Sequence, residues 1–472
     1  MLVLADCRIP AGRGDDTRRV HVFVDRGTIA DITGADTAVH PGCEVVDCGG
    51  MLLLPGAVDP HVHFCTPGLT RREEFDRGAA AAAAGGVTTA IDMPCTSVPP
   101  VTNARAIREK IDVVSRLARV DYALWGGASG NLPADPRWRE HLSSLAAAGV
   151  VGFKAYLLSG SPSFAELAPE RLEEVMVHAR TLGLPVGLHA EDPDIVRDRT
   201  AAALAAGRCD WDAVADVRAD PVEERAVALG IRLAERTGCA LHVVHVGSGA
   251  AAERVREAKA RGVDVTAETC PHFLAFTRDD LGTLGPLLKT APIVKTAADR
   301  DALWTALADG AIDFVATDHA PCPLEEKLVP DVWAAYSGIP GVQTMLPFLL
   351  DEWLAHGRIA LARLVEIAST AAARRWGLDD RKGSPTPGLD ADFALVDTDG
   401  AWTVRAEDLR SKARWSPFLG RTFRGRIART FVRGRLVYDA SAGVVGEPGW
   451  GELLGRRTPS PTPAVHAGRS LP

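Results

Sequence analysis

Six side chains carry the chemistry this sequence offers. His61 and His63 stand in Asp59-Pro-His-Val-His, Lys154 in Gly-Phe-Lys-Ala-Tyr, and His189 in Leu-His-Ala-Glu; His245 stands in Val-Val-His-Val and Asp318 in Thr-Asp-His-Ala-Pro. Each lies at or near the C-terminal end of a short apolar run, followed by loop or helix signals. In an extended strand residues i and i+2 share a face, so His61 and His63 point the same way and suit one metal ion. Taken singly, each of these residues has a plainer reading as a hydrogen-bonded core or surface group. Their joint order, one ligand group per expected strand end, reads as a two-metal hydrolase on the rim of an (α/β)8 barrel, where catalytic side chains converge.

Lys154 is the odd member. An inward-facing ammonium is costly to bury, and an unmodified lysine with a pKa of ~10.4 is a poor ligand at neutral pH. Reaction with carbon dioxide would replace the cation by a carbamate whose two oxygens bridge two metals. A lysine near a strand end can equally snorkel to solvent, and both readings stand at this point. Asp318 is suited to bind one metal and accept a proton from water, or to cap the following turn. Asp59, just before the histidine pair, is suited to orient a ligand histidine. His242 sits at an odd offset from His245, which turns it to the opposite face and out of the site. His272 and His319 stay unassigned. Cys65, Cys95 and Cys322 fall in loops after expected strands, where they line a pocket or simply pack.

The elements that must position these groups follow from apolar periodicity. Strands are predicted near 53–63, 87–93, 120–126, 149–156, 184–190, 240–246, 263–269 and 312–318, with helix-sized segments between most of them, as in a parallel barrel. Ala79–Ala84 followed by Gly85-Gly86 reads as a helix C-terminus feeding the second strand. Residues 1–55 carry short alternating strands, such as Arg19-Val-His-Val-Phe-Val-Asp, and the texture returns at Asp392-Phe-Ala-Leu-Val-Asp and in the stretch from Arg429. The expected organisation is therefore a TIM barrel over 56–380 beside a small β-domain built from 1–55 and 381–445. Residues 446–472, ending in the Pro-rich Arg456-Arg-Thr-Pro-Ser-Pro-Thr-Pro, are predicted to be a flexible extension.

Bulk numbers narrow the function classes. The chain has 472 residues, 46% hydrophobic and 24% charged, with a net charge of −8. That balance leaves no electrostatic footprint for nucleic acid. There is neither a basic cluster for an anionic membrane nor an apolar run long enough to span one. The opening Met-Leu-Val-Leu-Ala-Asp-Cys lacks the basic start of a signal peptide. Nine scattered cysteines, without a Cys-x-x-Cys pair, point to reduced thiols and a cytoplasmic protein.

From about Pro55 to Asp439 the chain resembles the amidohydrolase superfamily, in its cyclic-amidase branch of dihydroorotases, allantoinases and hydantoinases. The stretches that carry the resemblance are Pro55-Gly-Ala-Val-Asp-Pro-His-Val-His, Ala84-Gly-Gly-Val-Thr-Thr, Gly152-Phe-Lys-Ala-Tyr, Glu268-Thr-Cys-Pro-His-Phe and Thr317-Asp-His-Ala-Pro-Cys-Pro. The resemblance implies that the small β-domain is a β-sandwich. It also implies a binuclear site held by His61, His63, carboxylated Lys154, His189, His245 and Asp318. Zinc is its usual metal, with cobalt, manganese or iron as alternatives. It further implies a hydroxide that bridges the two ions and opens a cyclic amide, with Asp318 moving the proton, in a homodimer or homotetramer. Substrate contacts are expected from Cys65, Cys95, Tyr156, Thr290, Ala291, Cys322, Ser337 and Gly338.

Departures from the branch patterns bear on the substrate. Cys65 stands where dihydroorotases carry the arginine that holds a substrate carboxylate, and losing that pair should weaken an acidic ligand. Cys95 replaces their asparagine. Trp125-Gly-Gly, Asp318-His-Ala-Pro-Cys-Pro and Gly338-Ile-Pro-Gly-Val-Gln are closer to allantoinases, whereas Met93-Pro-Cys-Thr and Ala291-Pro-Ile-Val-Lys differ from them. Allantoin is thus the first expected substrate. Dihydroorotase and hydantoinase or dihydropyrimidinase activities are alternatives, and a non-catalytic scaffold comes last.

Overall fold

A computed structural model describes residues 1–132 and 135–456. The chain opens with five strands, β1 (Leu2–Pro10), β2 (Thr17–Asp25), β3 (Thr28–Gly34), β4 (Glu44–Asp47) and β5 (Leu52–Pro55). Nine short parallel segments follow: β6 (Ala57–Val62), β7 (Val87–Asp92), β8 (Asp121–Leu124), β9 (Gly126–Gly127), β10 (Phe153–Tyr156), β11 (Val186–His189), β12 (Leu241–Val243), β13 (Val265–Thr269) and β14 (Phe314–Val315). Four more complete the set, β15 (Phe393–Thr403), β16 (Thr422–Val432), β17 (Arg435–Asp439) and β18 (Gly443–Val444).

The middle segments form the barrel. β6, β7 and β8 pair in order, and β9 through β14 pair in order. β8 and β9 are one strand interrupted at Trp125, whose N–H still reaches the Asp92 carbonyl at 3.1 Å. The ring closes where the His63 N–H donates to His319 O at 2.8 Å and the His319 N–H to His61 O at 3.3 Å. Eight parallel strands result, each needing a crossover that helices supply. The first of these helices, Phe75–Ala84, is alanine-rich and ends at Gly85, one residue before the Gly86 that leads into β7.

The expected first strand, 53–63, is in fact two. β5 pairs with β15 in the β-domain, while β6 pairs with β7 in the barrel. The chain changes sheets at Gly56, where a Cβ would lie 2.1 Å from the Thr88 hydroxyl. Apolar residues run unbroken through both pieces, so periodicity alone does not separate them.

The two chain ends meet in one β-domain. Its nine strands form a single sheet that forks at β1, which pairs with β4 near its start and with β5 near its end. Below the barrel rim, Trp125 packs edge-on against Trp376 with centroids 4.5 Å apart. A Cβ on Gly187 would sit 2.6 Å from the Trp125 ring, so this indole fills the interior only because β11 presents a glycine there.

At the opposite, N-terminal end of the strands a charge cluster joins barrel and β-domain. Lys382 Nζ lies 2.5 Å from Asp121, 2.7 Å from Asp392 and 2.8 Å from Asp390. Arg433 also reaches Asp121 and donates to the Trp450 carbonyl at 2.6 Å. Residues 457–472 of the expected extension lie outside the described residues. The part before them is docked rather than flexible: Tyr122 N–H donates to Glu452 O at 2.9 Å and Leu454 N–H to Tyr122 O at 2.7 Å. Edge pairing to β8, invisible in a Pro-rich composition, holds it.

Candidate metal centre and substrate cavity

The C-terminal strand ends bring the six sequence-predicted groups to one place. His61 on β6 and His63 just past its end have their rings 5.3 Å apart. Asp318 Oδ1 lies 3.2 Å from His61 Nε2 and 3.0 Å from His63 Nε2. The three groups offer ligand atoms within 4.8 Å of one another. His189, ending β11, presents Nδ1 at 3.0 Å from His245 Nε2, and the His61 and His245 rings are 5.4 Å apart. Lys154, on β10, is fully buried, and its Nζ has no hydrogen-bond partner among the described residues. Two of these residues sit in the left-handed region, His245 with φ 40° and Asp318 with φ 46°. Such conformations cost about 1–3 kcal/mol each and gather at functional sites.

Partners behind the rings fix which nitrogen faces inward. Glu268 Oε1 is 2.5 Å from His61 Nδ1, and its Oε2 is 3.1 Å from His242 Nε2. Glu191 Oε2 is 2.8 Å from His189 Nε2 and 2.5 Å from Arg218. Thr96 Oγ1 is 3.1 Å from His63 Nδ1. These contacts leave Nε2 of His61 and His63, and Nδ1 of His189, toward the centre. Asp59 acts on backbone rather than on a ring: it accepts from the N–H groups of His61 and Thr317 and from the Thr317 hydroxyl at 2.5 Å. His319 accepts from Gly341 N–H through Nδ1 at 3.0 Å. Glu268 and Glu191 escaped the sequence reading, although both stand in stretches that drew attention for a neighbouring histidine or threonine.

Burial sets the charge states. It drives His61 and His245 well below the ordinary imidazole range and lowers His189. Burial likewise pulls Lys154 down to about 8, against the pull of Cys95 and Asp318. For Asp318 burial acts upward but is outweighed by His61, His63 and His245, so the carboxylate stays ionised. His63 moves the other way, up to about 10, because Cys95 and Asp318 outweigh its burial. The centre therefore sets an ionised Asp318 beside a cationic His63, with His61, His189 and His245 held neutral by burial.

A cavity of about 540 Å³ opens over this centre, lined by His61, His63, His189, His245 and Asp318. Of the expected substrate contacts, Cys95, Tyr156, Ala291 and Ser337 line it; Cys65, Thr290, Cys322 and Gly338 are not among its lining residues. Cys65 and Cys322 are corrections. Cys65 is buried, its thiol directed at the His63 carbonyl at 3.4 Å, and Cys322 packs against Ile339 and Trp415. Both follow barrel strands, but their loops turn the small side chains into packing. Cys95 Sγ does face the centre, 3.2 Å from the Tyr156 hydroxyl. Arg72 and Arg218 line the cavity too. A larger groove of about 780 Å³ on the β-domain brings together no comparable imidazole set.

Known proteins bear on this geometry. The amidohydrolase family matches residues 52–437. The allantoinase of Rubrobacter xylanophilus is 41% identical over 431 residues, covering 89% of this chain and 93% of its own. That of Streptomyces avermitilis is 38% identical over 457 residues, with 96% and 98% covered. The solved L-hydantoinase (dihydropyrimidinase) from Arthrobacter aurescens superposes with a TM-score of 0.91 at 33% identity, covering 96% of this chain and 99% of that one. Matched by the family over residues 52–437 and by the solved fold over 96% of its length, this chain belongs to the amidohydrolase family.

Proposed function

We propose that the protein opens a cyclic amide by hydrolysis, with allantoin as its substrate and allantoate as product. The observation that carries the reading is Lys154, a buried amine without a hydrogen-bond partner among the described residues, amid four imidazoles and a carboxylate at the strand ends. Relatives at 36–41% identity named allantoinase support the choice of ring. The donor set fits two divalent ions, zinc first. His61, His63, His189, His245 and Asp318 would hold them, together with Lys154 in carboxylated form. A free amine reacts with carbon dioxide and an ammonium does not, which favours a lysine whose pKa burial has lowered. When bound, two such ions lower the pKa of a water and polarise the ring carbonyl.

This chain's own residues supply the rest. Asp318 is ionised and so accepts the proton of the attacking water, then delivers it to the departing ring nitrogen. A neutral amide nitrogen leaves poorly without that proton. Glu268 and Glu191 hold the ligand rings in the required tautomers. The Cys95 and Tyr156 side chains and the backbone near Ala291 and Ser337 form the wall on which the ring rests. Cys65 offers no charge where dihydroorotases carry their carboxylate-binding arginine, so an acidic ring such as dihydroorotate would have to rely on Arg72 or Arg218 elsewhere on the wall.

The same reading makes the protein a cytoplasmic homodimer or homotetramer that engages neither nucleic acid nor membrane. Its nine cysteines are free, all but two of them buried, as suits a reducing compartment, and no described helix is long and apolar enough to cross a membrane.

The test is turnover of the metal-loaded protein on allantoin, dihydroorotate, hydantoin and dihydrouracil in parallel, with Asp318→Asn as control. Allantoin opening that vanishes in the control is the expected result. Preferred opening of hydantoin would move the assignment toward the L-hydantoinase relative, and no turnover of any ring would overturn it.

A further inference from the structure

Two buried lysines near the cavity have no role in the chemistry above. Lys289 is 6% exposed and Lys327 wholly buried, and no carboxylate pairs with either among the described residues. Their hydrogen bonds go to backbone carbonyls. Lys289 Nζ donates to the carbonyls of Val332, Trp333 and Ala335 at 2.7–2.9 Å. Lys327 Nζ donates to those of Lys289 at 2.7 Å and Tyr336 at 2.8 Å.

The two sets of peptide units differ at their other ends. Those bound by Lys289 carry the N–H groups of Trp333, Ala334 and Tyr336. These are already used, by the Asp331 side chain at 2.9 Å, the Asp331 carbonyl at 3.1 Å and the Glu326 carbonyl at 3.0 Å. Lys289 is therefore an anchor for the 328–336 loop. The units bound by Lys327 carry the N–H groups of Thr290 and Ser337, and neither donates to any group among the described residues. The Thr290 hydroxyl is also buried without a partner.

Direction follows from peptide geometry. Both units are trans, so each N–H points opposite to its carbonyl, away from Lys327. Ser337 lines the cavity, as does Ala291 directly after Thr290. The two units are also tied together: the Lys289 carbonyl that takes the Lys327 proton accepts the Gly338 N–H at 3.1 Å as well. Burial pulls Lys327 down to about 7, yet its amine donates to both carbonyls whether charged or neutral, and a bonded carbonyl polarises its peptide, which strengthens the N–H as a donor.

We propose that Lys327 is a positioning residue for substrate: by gripping the carbonyls of Lys289 and Tyr336 it presents the Thr290 and Ser337 amides as paired donors to the carbonyl oxygens of the ring. The inference rests on the cyclic-amide reading and adds to it the side chain that aims the donors. Lys327 itself touches no substrate atom.

The test uses the full-length, metal-loaded protein and the ring compound it opens fastest in the four-ring panel. In Lys327→Met, metal content should stay unchanged while KM rises about tenfold or more and kcat changes less, as expected for lost hydrogen bonds to substrate. Unchanged KM would overturn the proposal and leave the cyclic-amide reading intact; activity lost in step with metal would show a purely structural role and overturn it too. A second measurement needs no variant. Amide hydrogen exchange of the unaltered protein, resolved to single residues with and without the ring compound, should show slowed exchange at Thr290 and Ser337. No slowing at these two amides would overturn the proposal even if Lys327→Met fails to fold. Failure of the unaltered protein to open any ring would instead bring down the reading beneath it.

Discussion

Each end of the barrel buries a lysine among charged or basic side chains, and the two are finished differently. Lys382, at the N-terminal end, has three carboxylates within 2.8 Å. Lys154, at the C-terminal end, is equally buried and has no hydrogen-bond partner among the described residues. Burial lowers both. For Lys382 the charges of Asp392, Asp121 and Asp390 overcome it and the group is raised; for Lys154 burial prevails, leaving it near 8. The same residue type at the same depth is thus charge-satisfied at one end, and at the other lacks a hydrogen-bond partner among the described residues, where the function proposed above gives it its chemistry. At the N-terminal end the cluster spans barrel (Asp121), β-domain (Asp390, Asp392, Arg433) and C-terminal segment (Glu452), which is what a clamp between three parts of a chain requires.

The sharpest way to break this contrast is to remove each amine by the same substitution. On the function proposed above, Lys154→Met should lose activity by about 10³-fold or more, since the centre would lack one of its metal-holding groups. Metal content should fall with it, while thermal stability holds or rises, because an unpartnered buried amine has gone. Lys382→Met should do the reverse. It leaves Asp392 without a cation among the described residues and Asp121 and Asp390 with only Arg433 and Arg381, costing about 3–5 kcal/mol, with metal content and activity per folded molecule unchanged. Denaturant melts, metal analysis and turnover on the two variants side by side decide the matter. Equal loss of stability in both would erase the distinction drawn here.

The two ends also differ in how far they could be read from sequence. The C-terminal end was legible because barrel topology converts local pattern into convergence: a polar residue closing an apolar run becomes a rim residue wherever it lies in the chain. His242 was rightly turned away from the centre by its offset from His245, and its ring stacks on Phe314 instead. Glu268 was not legible, since its role depends on meeting His61, 207 residues earlier. Nor was the fate of Cys65 and Cys322, which depends on how a loop curls after its strand. The N-terminal cluster left no trace, because Asp121, Lys382, Asp390, Asp392 and Arg433 sit in unremarkable turns and strand starts. Only tertiary contact makes them a unit. The split of β5 from β6 at Gly56 was hidden for a related reason, two buried strands of different sheets sharing one apolar run.

The subtlest consequence concerns pH at the clamp. In the intact protein Asp121 is held below its ordinary range, because Lys382 and Arg433 outweigh the upward effect of burial. A depressed carboxylate contributes stability above its unfolded pKa of ~3.9 and loses it only as pH falls below that. Asp392 is raised, burial outweighing Lys382 even with the lysine in place. Without Lys382, burial acts on these carboxyls with less opposition and their folded pKa values rise further. A raised carboxyl binds more protons folded than unfolded, so stability increases as pH falls toward ~4. The stability gap between the unaltered protein and Lys382→Met should therefore narrow as pH is lowered from about 8 to 5, by a fraction of its full size. Denaturant melts at several pH values measure it. A gap that stays flat over that range would mean the stranded carboxylates find water or another cation, and that the clamp owes its strength to packing rather than to paired charge.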